Sequence, residues 1–268
     1  MKLNQFFTNP YLTSSVLIGM FLVSSASFAE ESIDPNIVGL ALQSSSAYLG
    51  SNSDKLNLVP ILAVSNYPWF LQTTEGILET GLKKDFLDHY SIGIQLAYEE
   101  GRFKKDAAFL KKNHIDDISS SASYGLFLQY ENQIAQMPID VLFRYRKDID
   151  AFRGSQFDIR CTAGIYGGEG KRLNAEAFAQ TTYANQDSSQ YYYGISQQQS
   201  LSSMLSAYKS KSGFLSSQIG LWASYDITPK WLLVGDIELE NLLGDAKNSP
   251  LVQNNTNPSM SIGLAFKY

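Results

Sequence analysis

From Met260 to Tyr268 the chain alternates without a break. Met260, Ile262, Leu264, Phe266 and Tyr268 are apolar or aromatic, and Ser261, Gly263, Ala265 and Lys267 between them are small or polar. A period of two is that of a β-strand with unlike faces. The same pattern recurs upstream at Tyr90 to Tyr98, Tyr124 to Tyr130, Ile139 to Arg146, Phe157 to Ile165, Leu215 to Asp226 and Trp231 to Glu240. Tyrosines sit at strand ends and aliphatics in the middle, as in strands that cross a bilayer between two aromatic girdles. The chain is rich in Tyr (16), Phe (15) and Gly (19), which fits apolar residues spread thinly along strands.

These features predict an all-β fold, a single antiparallel transmembrane β-barrel. Weaker strands fall at Asn36 to Tyr48, Asn57 to Asn66, Trp69 to Lys83 and Leu173 to Tyr183. Glu75-Gly76 is a point at which Trp69 to Lys83 could divide, and Gln190 to Ser196 reads as a strand or part of a loop. Single-chain bacterial barrels carry even strand numbers, so the expectation is twelve, with ten the alternative. Connections Gly101 to Asp117, Ala184 to Ser212 and Gly244 to Pro258 are long and polar, whereas Gly167 to Lys171 and Ile227 to Lys230 are short. Long loops outside and short turns inside is the outer-membrane arrangement.

The N-terminus fits that destination. Lys2, the apolar run Val16 to Val23 and the small residues Ser27 and Ala29 read as a signal peptide, residues 1–29, cleaved between Ala29 and Glu30. The apolar run is too short to span a bilayer as a helix, and residues 30–268 contain no second one. The expected location is the bacterial outer membrane. The alternating strand that ends on Tyr268 is then the signal read by the barrel-assembly machinery. Net charge is -5, so nucleic acid is not an expected partner.

If the register is set by excluding charge from lipid, Arg144, Arg146 and Arg160 point into the lumen, as do Asp236, Glu238 and Glu240 on a distant strand. Phe127, Phe178 and Trp222 also point inward and would help to occlude the lumen, while the single cysteine, Cys161, faces lipid. His89 and His114 are the only histidines, and the plain reading of each is a solvated loop residue. No catalytic, cofactor or metal site is expected, and the expected class is a non-enzyme. Gly164 to Lys171 fails as a phosphate loop, because five residues separate Gly164 from Gly170 and Arg172 stands where a hydroxyl is required. Arg102, Lys104, Lys105, Lys111 and Lys112 crowd one loop with Phe103, Phe109 and Leu110; the plain reading is a charged surface loop, the functional one contact with lipopolysaccharide phosphates.

Three stretches carry a family resemblance. Tyr48-Leu49-Gly50-Ser51 followed by Leu58-Val59-Pro60, the run Leu242 to Val252, and the turn Tyr225 to Trp231 resemble the MipA/OmpV family of outer-membrane proteins, over about Ile37 to Tyr268. The resemblance implies the barrel. It also implies a scaffold between a murein-degrading lytic transglycosylase and a murein synthase, without assigning any contact residue. The alternative from the sequence is a narrow channel or passive diffusion pore.

Overall fold

The computed structural model describes residues 36–74, 77–134, 137–168 and 170–268. Among them are twelve strands: β1 (Ile37–Ser46), β2 (Asp54–Asn66), β3 (Trp69–Thr74), β4 (Ile77–Leu87), β5 (Tyr90–Glu99), β6 (Ser121–Ile134), β7 (Met137–Asp148), β8 (Ser155–Tyr166), β9 (Leu173–Ala184), β10 (Gly213–Asp226), β11 (Trp231–Leu242) and β12 (Thr256–Lys267). Each pairs with its sequence neighbours, and β1 pairs with β12 from Ile37↔Lys267 to Ser44↔Met260, so the sheet is a closed antiparallel barrel. Closure leaves no backbone edge to be satisfied by lipid. The proposed signal peptide and its cleavage site at Ala29 and Glu30 lie outside the described residues.

The twelfth strand comes from the division of Trp69 to Lys83 into β3 and β4. The tyrosine-rich Gln190 to Ser196 is not a strand. It falls largely within helix α2 (Gln186–Tyr193), whose N-cap Asn185 accepts a hydrogen bond from Ser188 N at 2.9 Å. A capped helix won over the β-propensity of tyrosine because this segment lies in the β9–β10 connection, where its strand-like pairing is an isolated bridge of Ile195 with Tyr208.

Along the strands the interior and lipid faces alternate. Tyr90, Ile92, Ile94, Leu96 and Tyr98 are exposed on the outside of β5, whereas Ser91, Gln95 and Ala97 are buried inside. Exposed Tyr98, Tyr124, Tyr145, Tyr183 and Phe214 mark one membrane boundary, and Trp69, Tyr90, Tyr225, Trp231 and Tyr268 the other. One expectation fails at the start of β10. Leu215 is read from the alternation as outward, but a bulge between Phe214 and Ser216 inserts an extra residue opposite β9 and turns Leu215 into the buried interior.

Two interior glycines let aromatic rings lie flat against the wall. A Cβ at Gly93 would stand 2.2 Å from the Phe127 ring, and one at Gly220 would stand 2.4 Å from the Phe178 ring. Both rings are buried, and they thicken the wall inward.

Met260, Ile262, Leu264 and Tyr268 are exposed on the outer face of β12, and Phe266 packs edge-on against Trp231 at 5.3 Å. Tyr268 N also donates to Asn36 O at 3.0 Å, the last rung of the closing seam. Tyr268→Asp should therefore lower the amount of heat-modifiable folded barrel in outer-membrane fractions. Normal levels would remove this strand as the assembly signal.

Cys161 is exposed on the outside of β8, between the outward Ile159 and Ala163. In intact outer membranes a membrane-impermeant maleimide should leave it unlabelled, and urea denaturation should expose it to full labelling. Rapid labelling of the folded barrel would mean a register shifted by one residue.

Candidate functional site

The two ends of the barrel are built differently. The turns joining β2–β3, β4–β5, β8–β9 and β10–β11 are short and lie at the end of the barrel where β1 starts and β12 finishes. At the other end lie the connections β1–β2, β5–β6, β7–β8, β9–β10 and β11–β12, which hold α1 (Ala108–Lys112), α2 and α3 (Gln197–Ser202).

These long connections fold into a cap over the barrel mouth. The β1–β2, β5–β6 and β9–β10 hairpins are four strands apart on a twelve-strand ring, so contacts among all three cross the mouth instead of following the rim. Such contacts are present. Arg102 of the β5–β6 loop donates from Nη1 to Tyr192 O at 2.6 Å and lies over the Tyr48 ring at 5.8 Å. Tyr193 Oη reaches Leu49 O at 3.5 Å, and Tyr48 Oη donates to Leu251 O at 2.9 Å. Ala47, Tyr48, Ala107, Leu110, Ile115, Ile195 and Leu251 form one buried apolar cluster that draws on four connections. Burial pushes the Tyr48 and Tyr192 hydroxyls up to about 12 and raises Tyr193 further.

The loop expected to be a basic surface is thus split in two. Lys104, Lys105, Lys111 and Lys112 are exposed, but Arg102 and Leu110 are buried in the cap. Period-two reading says nothing about a loop core; the signal that was available is the apolar spacing of Ala107, Leu110 and Ile115 within a polar stretch.

Beneath the cap, one wall of the lumen carries a buried ion network. Arg144, Glu79 and Asp158 are each only 1% exposed. Arg144 donates from Nη1 to Glu79 Oε1 at 2.5 Å and from Nε to Asp158 Oδ2 at 3.0 Å. Arg146 reaches Glu99 Oε1 at 2.7 Å and Asp158 Oδ2 at 3.2 Å. Gln72, Gln95 and Thr182 supply further hydrogen bonds to Glu79 and Asp158. Arg160 stacks on Phe178 with its guanidinium 3.8 Å from the ring centroid.

Asp236, Glu238 and Glu240 stand on the other wall, on β11. Ser261 donates to Asp236, and Gln218 and Ser259 donate to Glu238 at 2.9 and 3.2 Å. Arg144 and Arg146 are paired with Glu79, Glu99 and Asp158 on their own wall, and Arg160 lines one cavity together with Asp236 and Glu238. Glu79 and Glu99 were not singled out in the sequence. Extending the β5 alternation one step past Ala97 puts Glu99 inside, and Glu79 follows once β4 is a separate strand.

Among the described residues, two sizeable cavities lie in the lumen. One, of about 380 Å³, lies under the cap against Tyr48, Arg102, Tyr193, Glu238 and Glu240. The other, of about 360 Å³, lies against Arg160, Glu176, Phe178, Trp222 and Asp236. Gln43, Val59 and Glu238 border both. His89 and His114 are exposed turn residues with φ of 69° and 51°. Among the described residues no group of three or more His, Cys, Asp or Glu could hold a metal ion.

A closed twelve-strand barrel with a lipid-facing apolar belt, a polar ion-paired interior and unequal ends is an outer-membrane β-barrel. The family model described as MltA-interacting protein MipA matches residues 38–268, and the chain belongs to that family. The MltA-interacting proteins of Escherichia coli strain K12 and Shigella flexneri are each 25% identical over 168 residues, which cover 61% of this chain and 63% of theirs. The chain therefore matches less than two thirds of the length of these relatives. Among solved structures, a bacterial polysaccharide outer membrane secretin is 9% identical with a TM-score of 0.48, covering 87% of this chain and 98% of that one. An outer membrane channel from Pseudomonas putida F1 is 10% identical with a TM-score of 0.46, covering 92% and 100%.

Proposed function

We propose that this barrel is a non-catalytic docking protein, which receives a lytic transglycosylase, and through it a murein synthase, on its periplasmic face. The name of its relatives supports the first partner. The observation that carries the reading is the asymmetry of the two ends. The cap folds across one mouth, while the opposite rim is a ring of short turns with exposed residues such as Asp88, His89, Thr228 and Lys230. That rim is the face a periplasmic enzyme meets. Cleavage between Ala29 and Glu30 and insertion by the barrel-assembly machinery deliver it there. The exposed lysines of the cap then face lipopolysaccharide phosphates on the other side.

Photo-crosslinking separates the two faces. A crosslinking residue at Lys230 should trap a lytic transglycosylase in envelope preparations, and one at Lys111 should not. Capture from Lys111 alone, or from neither, would remove the docking reading. The two neighbouring lumen cavities, which share Gln43, Val59 and Glu238, favour a second reading, a narrow pore, which single-channel recording tests.

A further inference from the structure

We propose that the capped half of the lumen is a binding chamber for a small hydroxylated organic anion of the sugar-acid class. Its carboxylate would be taken by Arg102 and its hydroxyls by the carboxylate and amide side chains of the wall. The proposal is independent of the docking reading.

Arg102 carries the argument. It is 9% exposed, it lines the cavity of about 380 Å³, and its Nε has no hydrogen-bond partner among the described residues. It also forms no salt bridge among them. Burial opposes its charge, and the groups packed around it are the tyrosines Tyr48, Tyr191, Tyr192 and Tyr193. A guanidinium does not give up its proton, so the charge stays in a site where, among the described residues, no carboxylate forms a salt bridge with it. A buried cation is ordinarily paired, and an isolated one is costly. The bond to Tyr192 O and the Tyr48 ring fix where the guanidinium sits, but neither neutralises it. An anion arriving in the chamber would.

The nearby carboxylates do not fill that role. Glu99 is engaged by Arg146 at 2.7 Å and Glu100 by Lys55 at 2.9 Å. Glu238 and Glu240 belong to the β11 wall, and Glu238 already accepts from Gln218 and Ser259. As acceptors, they suit the hydroxyl groups of a ligand and not its carboxylate. Gln43, Gln156, Gln180 and Asn257 add amide groups, and tyrosines supply apolar faces. A few placed polar groups beside aromatic surface, in a volume of this order, describe a small-molecule site. A charged anchor at one end and hydroxyl acceptors at the other select a polyol that carries one acid group.

The test is calorimetric titration of the purified full barrel in detergent, where both ends are accessible. The probes are glucuronate, N-acetylmuramate, glucose and inorganic phosphate. Both sugar acids should bind saturably and glucose should not. Arg102→Gln, checked for heat-modifiable folding, should weaken sugar-acid binding about tenfold or more, the loss of one charge-assisted hydrogen bond. Arg102→Lys should fall between the two. Absence of sugar-acid binding by the folded wild type overturns the proposal, as does equal binding of glucose. Phosphate binding as tightly as either sugar acid would overturn the sugar assignment, and undiminished binding by folded Arg102→Gln would overturn the anchor. The wild-type arms decide the question even if the variants do not fold.

Discussion

Replacing Arg144 with methionine is expected to destabilise the barrel by about 3–5 kcal/mol, the cost of breaking a buried ion pair from one side. Methionine fills much of the space, so the loss is electrostatic more than steric. Glu79 and Asp158, each 1% exposed, would be left without the guanidinium that links them. Arg146 still reaches Asp158, so Glu79 is the group most exposed to the loss. Urea unfolding of the purified barrel, followed by loss of heat-modifiability, measures the effect. The double change Arg144→Met, Glu79→Gln should recover part of it, because the stranded charge is then gone; a coupling energy near zero would mean that the pair acts independently. High salt should change the result little, since screening acts weakly on buried pairs. A surface pair such as Lys83–Glu131, at 2.8 Å but partly exposed, should contribute about 1 kcal/mol or less.

How far the sequence predicts this molecule depends on which force placed each residue. Exclusion of charge from lipid acts residue by residue, so the outward Ile92, Ile94 and Leu96, and the inward Arg144 and Arg146, follow from alternation alone. Pairing partners do not follow in that way. Arg144 meets Glu79 across sixty-five positions of chain, a contact set by barrel closure and by the β3–β4 division. Leu215 fails because one bulge reverses the face, and a bulge leaves no mark in a period-two pattern. The cap was the least legible part. Its helices and apolar cluster are assembled from separate loops, none of which has a core of its own, and Arg102 looks like its solvated lysine neighbours until Tyr48 and Tyr192 close around it.

The cap also sets the second large effect. Wild-type barrel in planar bilayers should show little conductance, because contacts between Tyr48, Arg102 and Tyr192 cross the mouth and Leu110, Ile115, Ile195 and Leu251 fill it with buried apolar side chains. Deleting residues 187–211 and joining the ends with a short glycine-serine turn removes α2, α3 and the Ile195–Tyr208 bridge while leaving β9 and β10 intact. The two cavities should then open to the outside, and a steady current should appear where there was almost none. Its selectivity follows from the wall charges. Arg144 and Arg146 are paired in place, and β11 sets three carboxylates, Asp236, Glu238 and Glu240, in a row along the lumen, with Ser261 donating to Asp236 and Ser259 and Gln218 to Glu238. Rings or strips of carboxylate favour cations. The uncapped barrel should therefore prefer potassium over chloride, and Asp236→Ala, Glu238→Ala, Glu240→Ala in that background should abolish the preference while the current persists. Stable, selective channels from the wild type would instead show that the cap does not seal the mouth, and they would favour the pore reading over docking. An uncapped barrel that stays silent would place the seal deeper, at the Arg144 network and the inward rings of Phe127 and Phe178.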